Sequence, residues 1–190
     1  MTEPPHPPVC LLVTGDRGAG KTLFCRALVE AVRALPGPPV VGGVLSPRVY
    51  EVAEQVGIDV EDLRTGQRRR LASLRAPGEA PLSAATQLWR FDPEALAWGN
   101  QVLRAATPCG LLVVDELGPL ELEEGRGWPA GVAAVDSGAY TVASVVVRPR
   151  LLAVAQRRWP AAGVVEMEGV AGVAAAAGLA RRLFAPAGLT

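Results

Sequence analysis

The segment that most constrains the fold of this chain spans residues 15–22 and reads GDRGAGKT. It matches G-x-x-x-x-G-K-[ST], a pattern in which the backbone N–H groups of a glycine-rich turn surround an anion. The apolar run at residues 9–13 is typical of a strand buried on both faces. Residues 22–35 carry apolar side chains at helical spacing. A strand, a turn and a helix N-terminus in this order predict a phosphate-binding P-loop.

Lys21 is the only lysine in a chain whose lysines and arginines together number 19. The lysine ammonium is a compact charge on a flexible stem, so it can reach between the β- and γ-phosphates of a nucleotide. A planar guanidinium would crowd a loop wrapped around those phosphates. We therefore predict that Lys21 binds the phosphates and takes part in catalysis. The residues expected to bind nucleotide are Gly15, Asp16, Arg17, Gly18, Ala19, Gly20, Lys21, Thr22 and Leu23.

Strand and helix patterns alternate along the rest of the chain, which predicts an α/β fold with a mostly parallel sheet and helices on both faces. The sheet and the helices on its two faces make three layers. Short strands and turns near residues 46–75 are predicted to form a small β insertion. Further strands are predicted at residues 40–45, 111–114, 140–147 and 164–165, and further helices at residues 92–103, 149–158 and 169–184. Residues 120–135 are also predicted to be helical, with an interruption around Gly125, Gly127 and Pro129.

Composition limits the class of protein. The chain has 190 residues, 49% of them hydrophobic, and this suits one domain with a substantial core. We expect a disordered proline-rich tail at residues 1–8, with no signal peptide, and a single P-loop NTPase domain at residues 9–190. The formal net charge is zero, so no electrostatic footprint for nucleic acid or membrane is visible. The sequence leaves the oligomeric state open.

The three cysteines are Cys10, Cys25 and Cys109, and each lies in or beside an apolar segment. Their odd number and their spacing fit neither a disulfide framework nor a metal site, so we expect them to pack in the core. A pattern of free thiols suits a reducing compartment, and the expected location is the cytoplasm.

A second group of chemically active residues follows the apolar strand at residues 111–114, which ends in Asp115 and Glu116. The carboxyl ends of parallel strands meet at one edge of a sheet, so both acids should lie near the P-loop. Asp115 is predicted to hold Mg²⁺ together with the hydroxyl of Thr22. Glu116 is predicted to activate a water molecule as a general base. An Asp-Glu pair differs from Ras-type GTPases, which orient the attacking water with glutamine.

Base recognition in Ras-like proteins uses an Asn-Lys-x-Asp element, which a chain without a second lysine cannot contain. We therefore expect a Mg²⁺-dependent hydrolase of nucleoside triphosphates with lax base selectivity. One alternative is a P-loop kinase that passes the γ-phosphate to a small acceptor. Its arginine-rich lid would draw on Arg148 and Arg150 or on Arg157 and Arg158, although the Asp-Glu pair favours water. Another is a binding switch with tight nucleotide binding and negligible turnover.

Two segments resemble the cancer-related nucleoside-triphosphatase family of small P-loop proteins. Residues 113–122 read VVDELGPLEL and are similar to its I-D-E-I-G-P-M-E-L segment. Residues 57–67 read GIDVEDLRTGQ, with LA at residues 71–72, and resemble its G-F-x-(apolar)-x-x-L-x-T-G-x…L-A segment. The resemblance covers about residues 9–170. It implies a RecA/AAA-like sheet and slow hydrolysis of several nucleoside triphosphates to diphosphates.

The chain departs from this family after its second strand. Tyr50 and Gln55 stand where the family has arginine, and Arg48 stands where it has glutamate. If those family arginines neutralise charge in the transition state, this chain must use Arg48, Arg17 or Arg148 instead, or hydrolyse nucleotide more slowly.

Overall fold

The structure is a computed structural model that describes residues 7–76 and 88–184. The proline-rich tail expected at residues 1–8 falls mainly on residues 1–6, which lie outside this description. Residues 185–190 of the expected domain also lie outside it. Within the described ranges, no helix is both long and apolar enough to cross a membrane.

Nine strands of the described residues form one sheet in the order β6-β5-β4-β2-β7-β8-β1-β9, and β3 pairs with β4 outside this path. The strands β2, β7, β8, β1 and β9 are parallel to their neighbours in this series, as predicted. Their bounds are β1 (Val9–Thr14), β2 (Val41–Leu45), β3 (Arg48–Glu51), β4 (Glu54–Asp62), β5 (Arg68–Leu74), β6 (Trp89–Phe91), β7 (Cys109–Leu117), β8 (Tyr140–Val147) and β9 (Gly163–Glu166).

The predicted insertion continues this sheet with antiparallel strands. β4 pairs with β2, and β3, β5 and β6 follow through antiparallel pairs. The insertion reaches beyond the predicted residues 46–75, because β6 closes its edge by pairing with β5. A strand of three residues carries too little alternation to be read from sequence.

Helices cover both faces of the sheet and complete the predicted three layers. One face packs against α1, α6 and α7, and the other against α2, α4 and α5. The helix predicted at residues 169–184 is divided at Ala175, whose N–H bonds the Gly172 carbonyl at 3.3 Å in a tighter turn. The helix bounds are α1 (Lys21–Arg33), α2 (Pro93–Arg104), α3 (Pro119–Leu122), α4 (Pro129–Asp136), α5 (Leu152–Arg158), α6 (Val170–Ala174) and α7 (Ala176–Phe184).

The central strand β7 shows why its sequence is apolar throughout. Leu111 and Val113 face the α1 layer, whereas Leu112 and Val114 face the α2 layer, and all four are fully buried. Successive side chains of a strand alternate between faces, so a strand covered on both sides needs an unbroken apolar run. This confirms the buried strand predicted at residues 111–114 and fixes where its acidic end must emerge.

The cysteines contribute to the core as expected. Cys25 is fully buried in α1, and Cys10 and Cys109 are partly buried against the opposite layer. All three are free thiols. Burial raises the pKa of the Cys10 and Cys109 thiols to about 11, so they remain protonated near neutral pH.

A largely buried carboxylate fastens the insertion to α1. Glu61 in β4 has a side chain only 9% exposed, and its Oε2 accepts from Arg26 of α1 at 2.9 Å and from Arg68 of β5 at 2.7 Å. The Arg33 side chain, at the end of α1, also donates to the carbonyl of Leu63. The helix that follows the P-loop and the inserted strands are therefore joined at two points.

Replacing Glu61 tests how much this junction stabilises the fold. Glu61→Gln removes the charge that both arginines share, so we expect the free energy of unfolding to fall by about 1–3 kcal/mol. Asp59→Asn is the matched control, because Asp59 also pairs with an arginine, Arg70, on the same insertion but is more exposed. Exposed pairs contribute at most about 1 kcal/mol. Equal losses in urea unfolding of the two variants would contradict this account.

Candidate active site

Four segments meet at one edge of the sheet. β1 ends at Thr14 and leads into the glycine-rich loop, and its neighbour β8 ends just before Arg148. β7, next to β8, carries Asp115 and Glu116 near its end. β2, on the other side of β7, ends just before Ser46. Parallel strands present their carboxyl ends together, so the predicted residues converge as expected.

The loop has the backbone shape that its glycines predict. Gly15, Gly18 and Gly20 have φ values of +141°, +90° and +89°, which side chains with a Cβ rarely adopt. A Cβ at Gly15 would also lie 2.5 Å from the carbonyl oxygen of Met167, so the loop packs closely on the segment after β9. The N-cap of α1 is Gly20, which has no side chain to cap the first amides. Uncapped N–H groups at a helix N-terminus are suited to binding an anion.

The remaining loop residues shape the turn or face outward. Asp16 accepts at its carbonyl from the N–H of Ala19 at 3.1 Å, which closes the turn. Arg17 donates from Nη2 to Oε1 of Gln55 at 3.2 Å and so connects the loop to β4 of the insertion. Leu23 is 55% exposed although it lies in the first turn of α1.

Lys21 begins α1 and turns back over the loop. Its Nζ donates to the carbonyl oxygens of Gly15 at 2.5 Å and Asp16 at 2.8 Å. The ammonium is therefore held at the mouth of the loop by two backbone acceptors. A phosphate bound to the loop amides would lie within reach of this charge.

The electrostatic surroundings of Lys21 are mixed. Burial is the main reason that its pKa lies below the usual value, and the positive charges of Arg48 and Arg148 act in the same direction. The negative charges of Glu116 and Asp115 oppose this shift. Five charged groups thus share the sheet edge, three of them cationic.

Asp115 is the buried acid of the pair, with 2% of its surface exposed. Its Oδ2 accepts from the backbone N–H of Ser46 at 3.1 Å, and the Ser46 hydroxyl donates to the Asp115 carbonyl. Burial raises the pKa of this carboxyl to about 6. Hydrogen bonds from the Ser46 amide and the Thr22 hydroxyl and the charge of Lys21 lower the pKa, whereas Glu116 raises it. The two residues predicted to hold metal, Thr22 and Asp115, therefore lie close together.

This donor set fits Mg²⁺. In the part of the chain that the structure describes, no group of three or more His, Cys, Asp or Glu side chains could hold a metal ion. Mg²⁺ is usually bound by one or two protein oxygens, with waters and substrate phosphates completing its shell. The Thr22 hydroxyl and the Asp115 carboxylate beside the phosphate-binding loop supply such oxygens.

Glu116 faces a different environment from its neighbour. Its side chain is 32% exposed, and its Oε1 accepts from Nε of Arg148. The Asp115–Glu116 peptide bond is cis, and the β7–β8 register shifts between Val114 and Leu117. Asp115 is buried against Ser46, whereas Glu116 reaches the surface of the site.

The partnership of Glu116 with Arg148 does not follow from the sequence pattern. The signal lies in the register, because Leu117 of β7 pairs with Val147 of β8. Glu116 precedes Leu117 on β7, and Arg148 directly follows Val147 at the end of β8. Sequence reasoning considered Arg148 only as a lid residue or a source of transition-state charge, and the register of β7 against β8 cannot be read from either segment alone.

Glu121 is a second residue whose contacts sequence reasoning did not predict. Its carboxylate accepts from the N–H of Gly118 at 2.8 Å and from the N–H of Trp128 at 3.0 Å. It therefore caps α3 and closes the loop that returns to α4. Burial raises its pKa, and these two hydrogen bonds act in the opposite direction. The signal was a glutamate three residues after the N-cap residue, Gly118, as in a capping box.

Sequence comparison relates the chain to several proteins named nucleoside-triphosphatase THEP1. A family model described as NTPase matches residues 10–155. The nucleoside-triphosphatase THEP1 of Thermofilum pendens is 34% identical over 135 residues, which are 70% of this chain and 71% of that protein. The protein of the same name from Methanopyrus kandleri is 32% identical over 140 residues, or 74% of this chain and 73% of its own length. The protein of this name from Methanosarcina barkeri is 31% identical over 113 residues, which are 60% of this chain and 62% of that protein.

Two solved structures share the fold. The solution structure of a human cancer-related nucleoside triphosphatase superposes with a TM-score of 0.70 at 18% sequence identity. The match covers 95% of this chain and 100% of the human chain. The crystal structure of THEP1 from Aquifex aeolicus gives a TM-score of 0.61 at 15% identity, over 93% and 99% of the two chains. The predicted three-layer α/β architecture of a P-loop protein is thereby confirmed.

Glu121→Gln tests the cap beneath the site. A glutamine offers one acceptor oxygen and one NH₂ group, so either the Gly118 or the Trp128 amide loses its acceptor. An unsatisfied buried donor costs about 1–3 kcal/mol, and we expect the free energy of unfolding to fall by that amount. Glu123→Gln, an exposed change in the next turn, is the control and should have no measurable effect. Chemical denaturation measures both, and a Glu121→Gln protein as stable as the control would refute the role.

Proposed function

This chain belongs to the NTPase family, and on that premise we propose that it hydrolyses nucleoside triphosphates to diphosphates and phosphate, with Mg²⁺ and with little selectivity for the base. One observation carries the proposal. The phosphate-binding loop with Lys21 lies beside Asp115, which is buried and close to Thr22. An anion site next to a pair of hard oxygen donors is what a Mg²⁺–triphosphate complex requires.

The nucleotide-binding role is assigned to the loop from Gly15 to Leu23. Its amides at the start of α1 bind the phosphates, and Lys21 exchanges its two carbonyl contacts for phosphate oxygens. Such a site reads the phosphate chain rather than the base. Without a second lysine the chain has no Asn-Lys-x-Asp element, which supports hydrolysis of several nucleotides.

The metal role is assigned to Thr22 and Asp115. When bound, Mg²⁺ neutralises charge on the β- and γ-phosphate oxygens. The hydrogen bond from the Ser46 amide orients the Asp115 carboxylate, and the Thr22 hydroxyl lies next to it. Ser46 is therefore assigned the role of positioning Asp115.

Glu116 is assigned the role of general base. Arg148 occupies one of its carboxylate oxygens, Oε1, and within the described residues the other oxygen has no protein partner. A water held there can attack the γ-phosphorus. The water oxygen bonds to phosphorus, the bond to the β–γ bridging oxygen breaks with its electron pair leaving on the diphosphate, and the proton passes to Glu116.

The setting proposed for this activity is the cytoplasm. It rests on the three free thiols, of which Cys25 lies fully inside the core. Free cysteines are typical of reducing compartments. Fractionation of the native cell, with the chain detected by antibody, tests this directly, and recovery in an oxidising compartment would contradict it.

Phosphate release from ATP, GTP, CTP and UTP in the presence of Mg²⁺ tests the activity. We expect turnover of all four at rates within about tenfold of one another, because tenfold corresponds to only about 1.4 kcal/mol of selective contact. Lys21→Ala is the control for contaminating enzymes and should abolish most of the activity. A preference of several hundredfold would require about 3–4 kcal/mol of base recognition and would overturn the claim of lax selectivity. Phosphate transfer to an added acceptor instead of water would indicate a kinase.

Substitutions that neutralise the two neighbouring acids should affect different steps of the reaction. Glu116→Gln keeps the size of the side chain but removes the base, so single-turnover hydrolysis should fall by about 10²–10⁴-fold while Mg²⁺–nucleotide affinity is kept. Asp115→Asn should instead raise the Mg²⁺ concentration needed for half-maximal activity. Titration of Mg²⁺ and nucleotide against both variants distinguishes them. The assignment would be wrong if Glu116→Gln hydrolysed nucleotide at the normal rate. It would also be wrong if Glu116→Gln lost Mg²⁺–nucleotide binding while Asp115→Asn kept it.

A further inference from the structure

Arg148 lies beside two strands that carry parts of the site. It directly follows Val147, which ends β8, and β8 lies between β7 and β1 in the sheet. On one side Val147 pairs with Leu117, the residue after Glu116. On the other side β8 pairs with β1, which leads into the phosphate-binding loop. Strand pairing therefore places the backbone of Arg148 next to Glu116 and near the start of that loop.

The backbone on both sides of Arg148 is anchored. Val147, which precedes it, has no exposed surface. The carbonyl of Arg148 accepts from the N–H of Leu151 at 2.9 Å, at the end of the single 3₁₀ turn Pro149–Leu151. Leu151 is itself buried. The guanidinium group therefore extends from a fixed backbone, although the side chain of Arg148 is 47% exposed.

The contact between Arg148 and Glu116 involves one oxygen of the carboxylate. Nε of Arg148 donates to Oε1 of Glu116, and the two groups form an ion pair. Within the described residues Oε2 has no protein partner. Lys21 binds elsewhere, because its Nζ donates to the carbonyl oxygens of Gly15 and Asp16. One carboxylate oxygen of Glu116 is thus held, and the other is available to a water molecule.

A glutamate in this position needs a partner to be oriented. Its side chain rotates about three bonds, and 32% of the Glu116 side chain is exposed. Without a partner its carboxylate would occupy several rotamers, only some of which point at the reacting phosphorus. A general base acts only within hydrogen-bond reach of the proton that it accepts. The orientation of Glu116 therefore contributes directly to the rate of hydrolysis.

We propose that Arg148 is a positioning residue, which holds the Glu116 carboxylate in the orientation needed to accept the proton of the attacking water. The inference rests on the proposed function and assigns a further residue to it. Arg148 donates its hydrogen bond to Oε1, and the water is held at Oε2. Arg148 gives up neither a proton nor electrons, and it does not contact the phosphates. It therefore acts on the rate only through Glu116.

The first test compares Arg148→Ala with Arg70→Ala. Arg70 is the matched control, because its Nε also donates to a carboxylate, that of Asp59 at 2.7 Å, in a pair of similar exposure on the insertion. For Arg148→Ala we expect single-turnover hydrolysis to fall by about 10–10²-fold, as for a reacting group displaced by about 1 Å. Affinity for a non-hydrolysable Mg²⁺–triphosphate should change by less than about threefold. Arg70→Ala should keep the wild-type rate, and both variants should unfold alike on heating, since exposed pairs contribute little to stability.

A double variant shows whether Arg148 acts through Glu116. Once Glu116→Gln has removed the base, Arg148 has no base left to position. Adding Arg148→Ala to Glu116→Gln should therefore lower the rate by less than about twofold, so that the two substitutions are strongly non-additive. Any larger further loss would show that Arg148 acts by another route, such as contact with the phosphates, and would overturn the proposal.

Conservative substitutions separate the hydrogen bond of Arg148 from its charge. The side-chain nitrogen of glutamine lies as many bonds from Cα as Nε of arginine, so Arg148→Gln keeps a donor at that distance without the charge. Arg148→Gln should recover part of the rate that Arg148→Ala loses. Arg148→Lys keeps the charge as a compact ammonium on a flexible stem. If Arg148→Gln were no faster than Arg148→Ala, the hydrogen bond would not be the cause of the effect. Recovery by Arg148→Lys alone would indicate a role of charge and would likewise overturn the proposal.

The outcomes also distinguish this proposal from the proposed function. Wild-type rates in Arg148→Ala, with hydrolysis intact in the parent chain, would overturn the role of Arg148 alone. Equal losses of rate and of triphosphate analogue affinity would overturn it too, since they would show a contribution to binding. If the parent chain released no phosphate from any nucleotide, the proposed function would fail and the role of Arg148 would fail with it.

Discussion

The arrangement of this site depends on one buried carboxylate. Asp115 has almost no exposed surface, and a charge in such a place requires hydrogen-bonding partners. Those partners come from separate segments, since Ser46 follows β2 and Thr22 lies in the first turn of α1. Satisfying Asp115 therefore brings the end of β2, the end of β7 and the start of α1 to common positions. The phosphate-binding loop and the insertion take their places from those three anchors.

Local pattern predicted much of this fold. The strand, loop and helix around residues 9–33 and the buried strand before Asp115 follow from periodicity and from the spacing of glycines, which act within a few residues. The pattern was less informative where pairing decides the structure. The three residues of β6 become a strand only through β5, and a single helix predicted near the C-terminus is divided where Ala175 bonds back to Gly172.

The contrast between what local pattern predicts and what strand pairing decides also applies within the site. Lys21, Thr22 and Asp115 could be predicted because each belongs to a motif with its own local spacing. The contacts of Ser46 with Asp115 and of Arg148 with Glu116 could not, because each joins residues on different strands whose register only the folded sheet defines. The assigned roles of all these residues in catalysis stay predictions until the variants are measured.

The close packing of Gly15 on Met167 has a consequence for the order in which the site is completed during synthesis. β1, near the start of the chain, has both of its sheet partners in the last third of it, β8 and β9. The N–H of Met167 also bonds the carbonyl of Thr14, the residue just before the loop. During synthesis the phosphate-binding loop therefore leaves the ribosome well before the segments of the same domain against which it packs. A nascent chain contains the complete motif before it contains the segments that pack against the loop. Nucleotide binding by a nascent chain would therefore show that nearly the whole domain has emerged and folded.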